Sequence, residues 1–249
     1  MNKKITSFIA PVISFALIFI FWEVMCTVKE VPTWFLPTPT KIFTSMVVDF
    51  KEFWPHILVT LKVVFLGFLI TIPVGLMLAT LITSFPTLNA ALSPYVTFLV
   101  TTPMICLIPL LMLMLGFDLK LRIVTVVIQS FAIINMNACT GFNNVPGIRK
   151  ELMQSLGASP VKTYFKMTLP SAATDIFTGI RLAAIMATTA CISVEYNAGT
   201  TGLGSQIIKY SQYMRTDKSF ACIFYVTIIG ILMYALVSVA QKKIISWKE

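Results

Sequence analysis

Charge is scarce in this chain. Only 12% of its 249 residues are Asp, Glu, Lys or Arg, against roughly 25% in soluble domains. From Val63 to Phe117 there is no Asp, Glu, Lys, Arg or His at all. A soluble fold has too little interior to hide such a run, whereas a bilayer accepts it. Histidine is limited to His56, which reads as an interface group at a span end. No nucleophile–base pair and no paired catalytic carboxylates stand out, so no catalytic residues and no metal ligands are assigned. The five cysteines, Cys26, Cys106, Cys139, Cys191 and Cys222, are scattered without metal spacing or a disulfide framework. They read as small buried hydrophobes. A Gly-x-x-x-x-Gly-Lys-Ser/Thr phosphate loop is also missing, so the chain is not expected to hydrolyse ATP or to bind a cofactor itself. No internal repeat is visible.

What the chain does have is apolar length, with 57% hydrophobic residues and a net charge of +9. The basic residues sit at the ends of apolar runs, where orientation signals and lipid headgroup contacts belong, and they form no nucleic-acid-sized patch. Six spans of about 20 residues are expected, at Ile5–Met25, Ile57–Ile82, Leu92–Phe117, Ile123–Asn144, Ile176–Tyr196 and Ser219–Gln241. The first is too long for a secretory leader and lacks a small-residue cleavage site, so it is read as retained. An even number of spans puts both termini on one side, with Lys3, Lys4, Arg149, Lys150, Lys162, Lys166, Lys242, Lys243 and Lys248. Lys29, Lys41, Lys51, Lys120, Arg122, Lys209, Arg215 and Lys218 fall on the other. The first group lies closer to span ends, which is what the positive-inside rule weighs, so that side is assigned to the cytoplasm. Residues 29–55 are expected along the outer surface, with Pro37-Thr-Pro39-Thr40 capping a short helix from about Lys41.

A polar island, Glu151 to Pro170, interrupts the apolar chain. Its residues predict two short helices joined at a corner. Glu151–Leu156 has good helix formers with a carboxylate at the start. Gly157 is a left-handed stop, Ser159-Pro160 an N-cap with a first-turn proline, and Leu169-Pro170 the end of the second helix. On the residues alone this is either a docking element or an ordinary loop with two helical turns.

The spacing Glu151, Gly157 six residues on, then Leu169-Pro170 resembles the EAA loop of binding-protein-dependent ABC importer permeases. Leu152 and Met153 stand where that family has two alanines, and Met167 where it has isoleucine. Trp22-Glu23, Leu36-Pro37-Thr-Pro39, Thr60-Leu61-Lys62 with Gly67 and Gly75, and Thr102-Pro103 with Ile108-Pro109-Leu110 and Gly116 add to the likeness. So do Gly179-Ile180-Arg181, Glu195 and Gly202-Leu203-Gly204. Together they resemble the branch for nitrate, sulfonates, taurine and thiamine-related pyrimidines. The resemblance implies an all-α integral membrane protein with six transmembrane helices, the type I ABC importer permease fold and a cytoplasmic coupling helix. It covers one permease domain, 1–249, with residues 1–56 as first span and external segment and a five-span core from 57. The EAA loop spans 145–175. It implies docking of an ATPase subunit in two copies, which holds ATP and Mg, by Glu151, Leu152, Gly157, Ala158, Ser159, Pro160, Leu169 and Pro170. An extracytoplasmic substrate-binding protein and a second permease, as a homodimer, complete the implied machine in a bacterial inner membrane. A stand-alone secondary transporter is the alternative, but it calls for inverted repeats and midplane charge pairs.

Polar groups within spans are candidates for the pathway or its gate. Arg181, about one turn into the fifth span, is expected to snorkel to phosphates or brace the coupling loop. Glu195, roughly 21 Å further along a helix, is expected to hold the Gly202–Gly204 loop or to touch substrate. Asn135 and Asn137 are expected to hydrogen-bond between helices, or else to line the pathway. Thr102-Pro103, with Pro109, is expected to loosen the third span, and Glu23 and Lys62 to pair near the outer surface.

Overall fold

The computed structural model describes residues 3–245, with side chains from residue 10 onward. Lys248 and the side chains of Lys3 and Lys4, placed above on the inner side, lie outside the described residues. The described chain is helical: α1 (Lys3–Val28), α2 (Pro39–Val48), α3 (Phe50–Ser84), α4 (Pro86–Thr101), α5 (Met104–Leu115) and α6 (Leu119–Asn143) come first. Then follow α7 (Gly147–Ser155), α8 (Pro160–Thr163), a π turn (Tyr164–Thr168), α9 (Leu169–Ala198), α10 (Leu203–Gln212) and α11 (Thr216–Ile244). Five stretches, in α1, α3, α6, α8–α9 and α11, are long and apolar enough to cross a membrane.

The expected third span is not one rod. α4 and α5 meet at 104°. Thr102 precedes a proline and takes an extended conformation, with φ −75° and ψ 122°, because the Pro103 ring disfavours the helical region there. The pair still carries the chain across. Gly67 of α3 packs on Val126 of α6, and Gly75 on Ile134. Both partners advance by the same step, so α3 and α6 run parallel, and the segment between them must return to the opposite side. α4–α5 is therefore a broken sixth span.

Small residues set the helix packing. A Cβ on Gly67 would lie 2.5 Å from a Val126 methyl, and one on Gly179 would lie 2.7 Å from Asn137 Cβ. α9 adds buried Ala172, Ala183, Ala184, Ala187 and Ala190. These let α6 and α9 approach backbone to backbone, the usual device where lipid removes the hydrophobic incentive to associate. α9 is the central helix, with half of its most apolar window buried; the figure for α1 is 6%.

α1 is attached mainly through its C-terminal half. Phe19 packs at a tilt on Phe43 and Phe224, and Trp22 on Phe220. Glu23 does not pair with Lys62. Its carboxylate accepts the Thr40 N–H at 3.0 Å and the Thr40 hydroxyl at 2.7 Å, because the first turn of α2 offers free donors where an anion is favoured. α2 begins at Pro39, slightly earlier than expected, with Thr38 as its N-cap accepting from Lys41 N–H.

Candidate functional site

The polar island folds as an elbow. α6 ends at Asn143, Asn144 to Pro146 make the turn, and α7 starts at Gly147. Glu151 is thus in mid-helix and exposed, not at the start as expected; Pro146 sets the boundary because its fixed φ suits the residue that precedes a helix. Leu156 caps α7, and Gly157 follows at φ +70°. Ala158 N–H donates to Met153 C=O at 3.0 Å and Gly157 N–H to Gln154 C=O at 2.9 Å, the paired bonds of a Schellman stop. Ser159 then caps α8 by accepting from Lys162 N–H, with Pro160 at its first turn.

The second elbow helix does not end at Leu169-Pro170. It runs through the π turn into α9, making one 39-residue helix from Pro160 to Ala198. Pro170 has no N–H, and its ring would press on the carbonyl a turn earlier. The wider turn absorbs this: Leu169 N–H donates to Tyr164 C=O, five residues back. The second arm of the elbow, α8, is therefore continuous with the central helix of the fold.

The outer surface of the elbow carries an apolar stripe. Ile148, Leu152 and Leu156 recur every four residues along α7 and its C-cap and are exposed, as are Val161 and Phe165 beyond the corner. Leu156 is 73% exposed. Leu152 was singled out from the sequence; the others were missed, although the four-residue spacing was legible.

The opposite end of the molecule holds a buried polar latch. Glu195, near the end of α9, has no exposed surface. Its carboxylate accepts the Thr60 hydroxyl, 2.9 Å from Oε2, and Gly204 N–H at 3.0 Å. Thr60 in turn accepts Leu203 N–H at 2.9 Å, and His56 Nδ1 accepts Gly202 N–H at 3.3 Å. Buried Arg122 donates to Thr201 C=O at 3.1 Å. Side chains of α3, α6 and α9 therefore hold the segment 199–204, which is the loop after α9 and the first residues of α10. Only glycine fits at Gly202, where φ is +103° and a Cβ would stand 2.2 Å from the Glu195 carboxyl carbon. Of the two roles expected for Glu195, holding the loop is the one this geometry serves. The sequence reading placed Arg122 and His56 at span ends without a task. Nearby, Lys218 bridges Asp49 and Glu52, and Tyr210 donates to Glu52 at 2.6 Å. Burial, then that bond, pushes the Tyr210 phenol well above its ordinary pKa.

The remaining candidates are dispersed. Thr102 and Pro103 form the break in the third span. Asn135 is buried and Asn137 half-buried, but neither bonds across helices through a carbonyl or amide. Asn137 donates to its own Ile133 C=O at 2.9 Å, since Gly179 opposite offers no side chain. Asn135 Oδ1 meets only the Cys139 thiol of its own helix at 3.9 Å. Arg181 lies about 18 Å along α9 from Leu169, deeper than expected because the helix starts so early. Its guanidinium donates to Thr178 at 3.3 Å and sits 5.9 Å from the Tyr234 ring centre. It does not reach the elbow.

Residues 71–246 match the family model described as "Binding-protein-dependent transport system inner membrane component". The chain belongs to that family. As a permease it is 24% identical over 253 residues, 99% of each chain, to the formylaminopyrimidine transport permease protein ThiX of Halalkalibacterium halodurans. It is 28% identical over 237 residues to a putative aliphatic sulfonates transport permease protein, SsuC, of Bacillus subtilis, covering 94% of this chain and 86% of that one. Solved structures share the permease fold. A chain of the inward-facing MetNI methionine ABC transporter aligns with a TM-score of 0.58 at 22% identity, over 82% of this chain and 97% of that one. An amino acid ABC transporter aligns with a TM-score of 0.65 at 20% identity, over 81% and 98%. The permease is thus a multi-pass membrane transport protein, not an enzyme. Membership of a binding-protein-dependent ABC family implies a substrate-binding protein and an ATPase as partners.

Proposed function

We propose that this permease forms the translocation pathway of an ABC importer and is driven through its elbow by a separate ATPase. The observation that carries this is the exposed apolar stripe of Ile148, Leu152, Leu156, Val161 and Phe165 on an otherwise polar element. Covering one such side chain is worth about 1.5–3 kcal/mol, so a groove that seats three or four of them holds firmly. The ATPase, in two copies, binds ATP and Mg; its closure moves the elbow, and the unbroken α8–α9 helix carries that motion to the core. Glu151, Gly157, Ala158, Ser159, Pro160, Leu169 and Pro170 shape the element, and Leu152 enters the groove. The elbow faces the cytoplasm of a bacterial cell, as do both termini, and the latched loop faces an extracytoplasmic binding protein. A second copy of the chain completes the pathway. The substrate is a small anion, such as a sulfonate, taurine or nitrate, or a pyrimidine-like thiamine precursor, chosen mainly by the binding protein.

The test is purification of the tagged permease from its native membrane. The wild-type chain is expected to bring down ATP hydrolysis that the binding protein stimulates. With Leu152→Asp and Leu156→Asp together, two buried charges oppose docking, and the co-purified activity is expected to fall at least tenfold while the permease remains folded. Undiminished activity with the double variant rejects the docking surface.

A further inference from the structure

Three successive N–H groups at the start of α10 are each capped by a side chain from another part of the chain. Gly202 N–H donates to His56, Leu203 N–H to Thr60 and Gly204 N–H to Glu195. Such groups have no partner within their own helix, so the latch closes only while all three acceptors are present. One of the three titrates near neutrality. His56 is the sole histidine of the chain, and its ring is half-buried. Its Nδ1 accepts from Gly202 at 3.3 Å, which puts the ring in its neutral form with the proton on Nε2. Gly202 itself is buried and held at φ +103°.

Protonation removes this acceptor. An imidazolium carries two N–H donors and no lone pair, so turning the ring over does not restore the bond. The Gly202 N–H is then buried against another donor. The new charge also stands at a helix N-terminus, where the dipole disfavours cations. Neighbouring charges do little to relieve it. Lys209 on α10 repels a cation on His56, and Glu52, one turn earlier on α3, attracts it. Glu52 is already engaged by Lys218 and Tyr210. Arg122 on α6 meets the same segment at Thr201 and adds positive charge. Glu195 on α9 is occupied by Thr60 and Gly204. The closed latch thus takes only the neutral ring, whereas the open latch accepts a proton freely. By linkage the closed form has its full stability above the ordinary histidine range, near pH 6.5, and loses it as the pH falls below that range.

We propose that His56 makes the latch an acid switch, in which protonation of the ring releases the segment 199–204 from α3. With the latch on the extracytoplasmic face, acid outside the cell loosens the surface offered to the binding protein. That consequence rests on the orientation proposed above. The release does not, and it is measured on the purified chain, where orientation plays no part.

A nitroxide label is placed at Thr200→Cys, an exposed position beside the latch bonds, in a full-length chain whose five native cysteines have been replaced. In nanodiscs the ratio of mobile to immobile label is expected to rise roughly tenfold between about pH 8 and pH 5. The magnetic resonance signal of the single histidine is expected to titrate over the same interval. His56→Gln supplies a carbonyl acceptor that does not titrate, and is expected to keep the label immobile throughout. His56→Ala leaves the Gly202 N–H orphaned at every pH, and is expected to give a mobile label even at pH 8. A label at Gln154→Cys on α7 is expected not to respond to pH. The proposal is overturned if the wild-type label at position 200 is unaffected by acid, if His56→Gln responds as the wild type does, or if the α7 label loosens in parallel.

Discussion

Gly157→Val is expected to abolish import while leaving the permease folded and in the membrane. The residue adopts φ +70°, and a Cβ there would meet nothing within 4 Å. The cost is thus conformational, not steric crowding. A left-handed conformation costs an ordinary residue roughly 1–2 kcal/mol and a β-branched one more, so the corner population shifts by about tenfold or beyond. Both Schellman bonds are lost with it. Because the elbow is exposed, global stability changes little; what changes is the angle between α7 and α8. Gly157→Asn, which tolerates the left-handed region, is expected to retain most transport. Gly147→Val is the control: it also faces open space but has no positive φ, and it is expected to transport nearly normally. Normal import by Gly157→Val, measured with labelled substrate in whole cells, would show that the corner has no part in coupling.

The second large effect is expected at Glu195. Truncation to Ala strands the Thr60 hydroxyl and Gly204 N–H in a sealed site and leaves a cavity. Each stranded group costs about 1–3 kcal/mol, so the total is about 3–5 kcal/mol. That is enough to lower the unfolding temperature in detergent by several degrees and to loosen loop 199–204. Hydrogen exchange at Gly204 and Leu203 is expected to rise sharply, with exchange in α7 unchanged. Glu195→Gln keeps one acceptor oxygen and is expected to lose clearly less. If Glu195 instead served the substrate directly, Ala would reduce transport without destabilising the loop.

The elbow and the latch were legible to different degrees. Gly157, Ser159 and Pro160 each need a local backbone state that their chemistry favours, so the corner could be read residue by residue. The end of the second elbow helix could not. Leu169-Pro170 is a stop signal locally, but a single π turn lets the helix continue, and that depends on the helix being held from both ends. Thr102-Pro103 shows the reverse. A proline was read as a loosening, yet the ladder breaks outright, because Thr102 is pushed into an extended state and α5 restarts in another direction. Glu195 could be associated with its glycine loop because it lies near the end of its span, just before that loop in the chain. Arg122 and His56, far away in sequence, could be joined to them only by the parallel packing of α3 and α6. Glu23 was assigned the wrong partner for the same reason: an anion settles on the nearest free donors, and a helix N-terminus supplied them.

The claim on which the account stands is that the elbow projects into the cytoplasm and is covered there by an ATPase. Its most direct test is the labelling of Leu156→Cys, in a chain whose five native cysteines have been replaced, by a membrane-impermeant maleimide. In inside-out vesicles the thiol is expected to react rapidly when the permease is expressed alone, and to be strongly protected when its ATPase is present. In right-side-out cells it is expected to stay unlabelled. Labelling from outside, or equal labelling with and without the ATPase, would contradict the account.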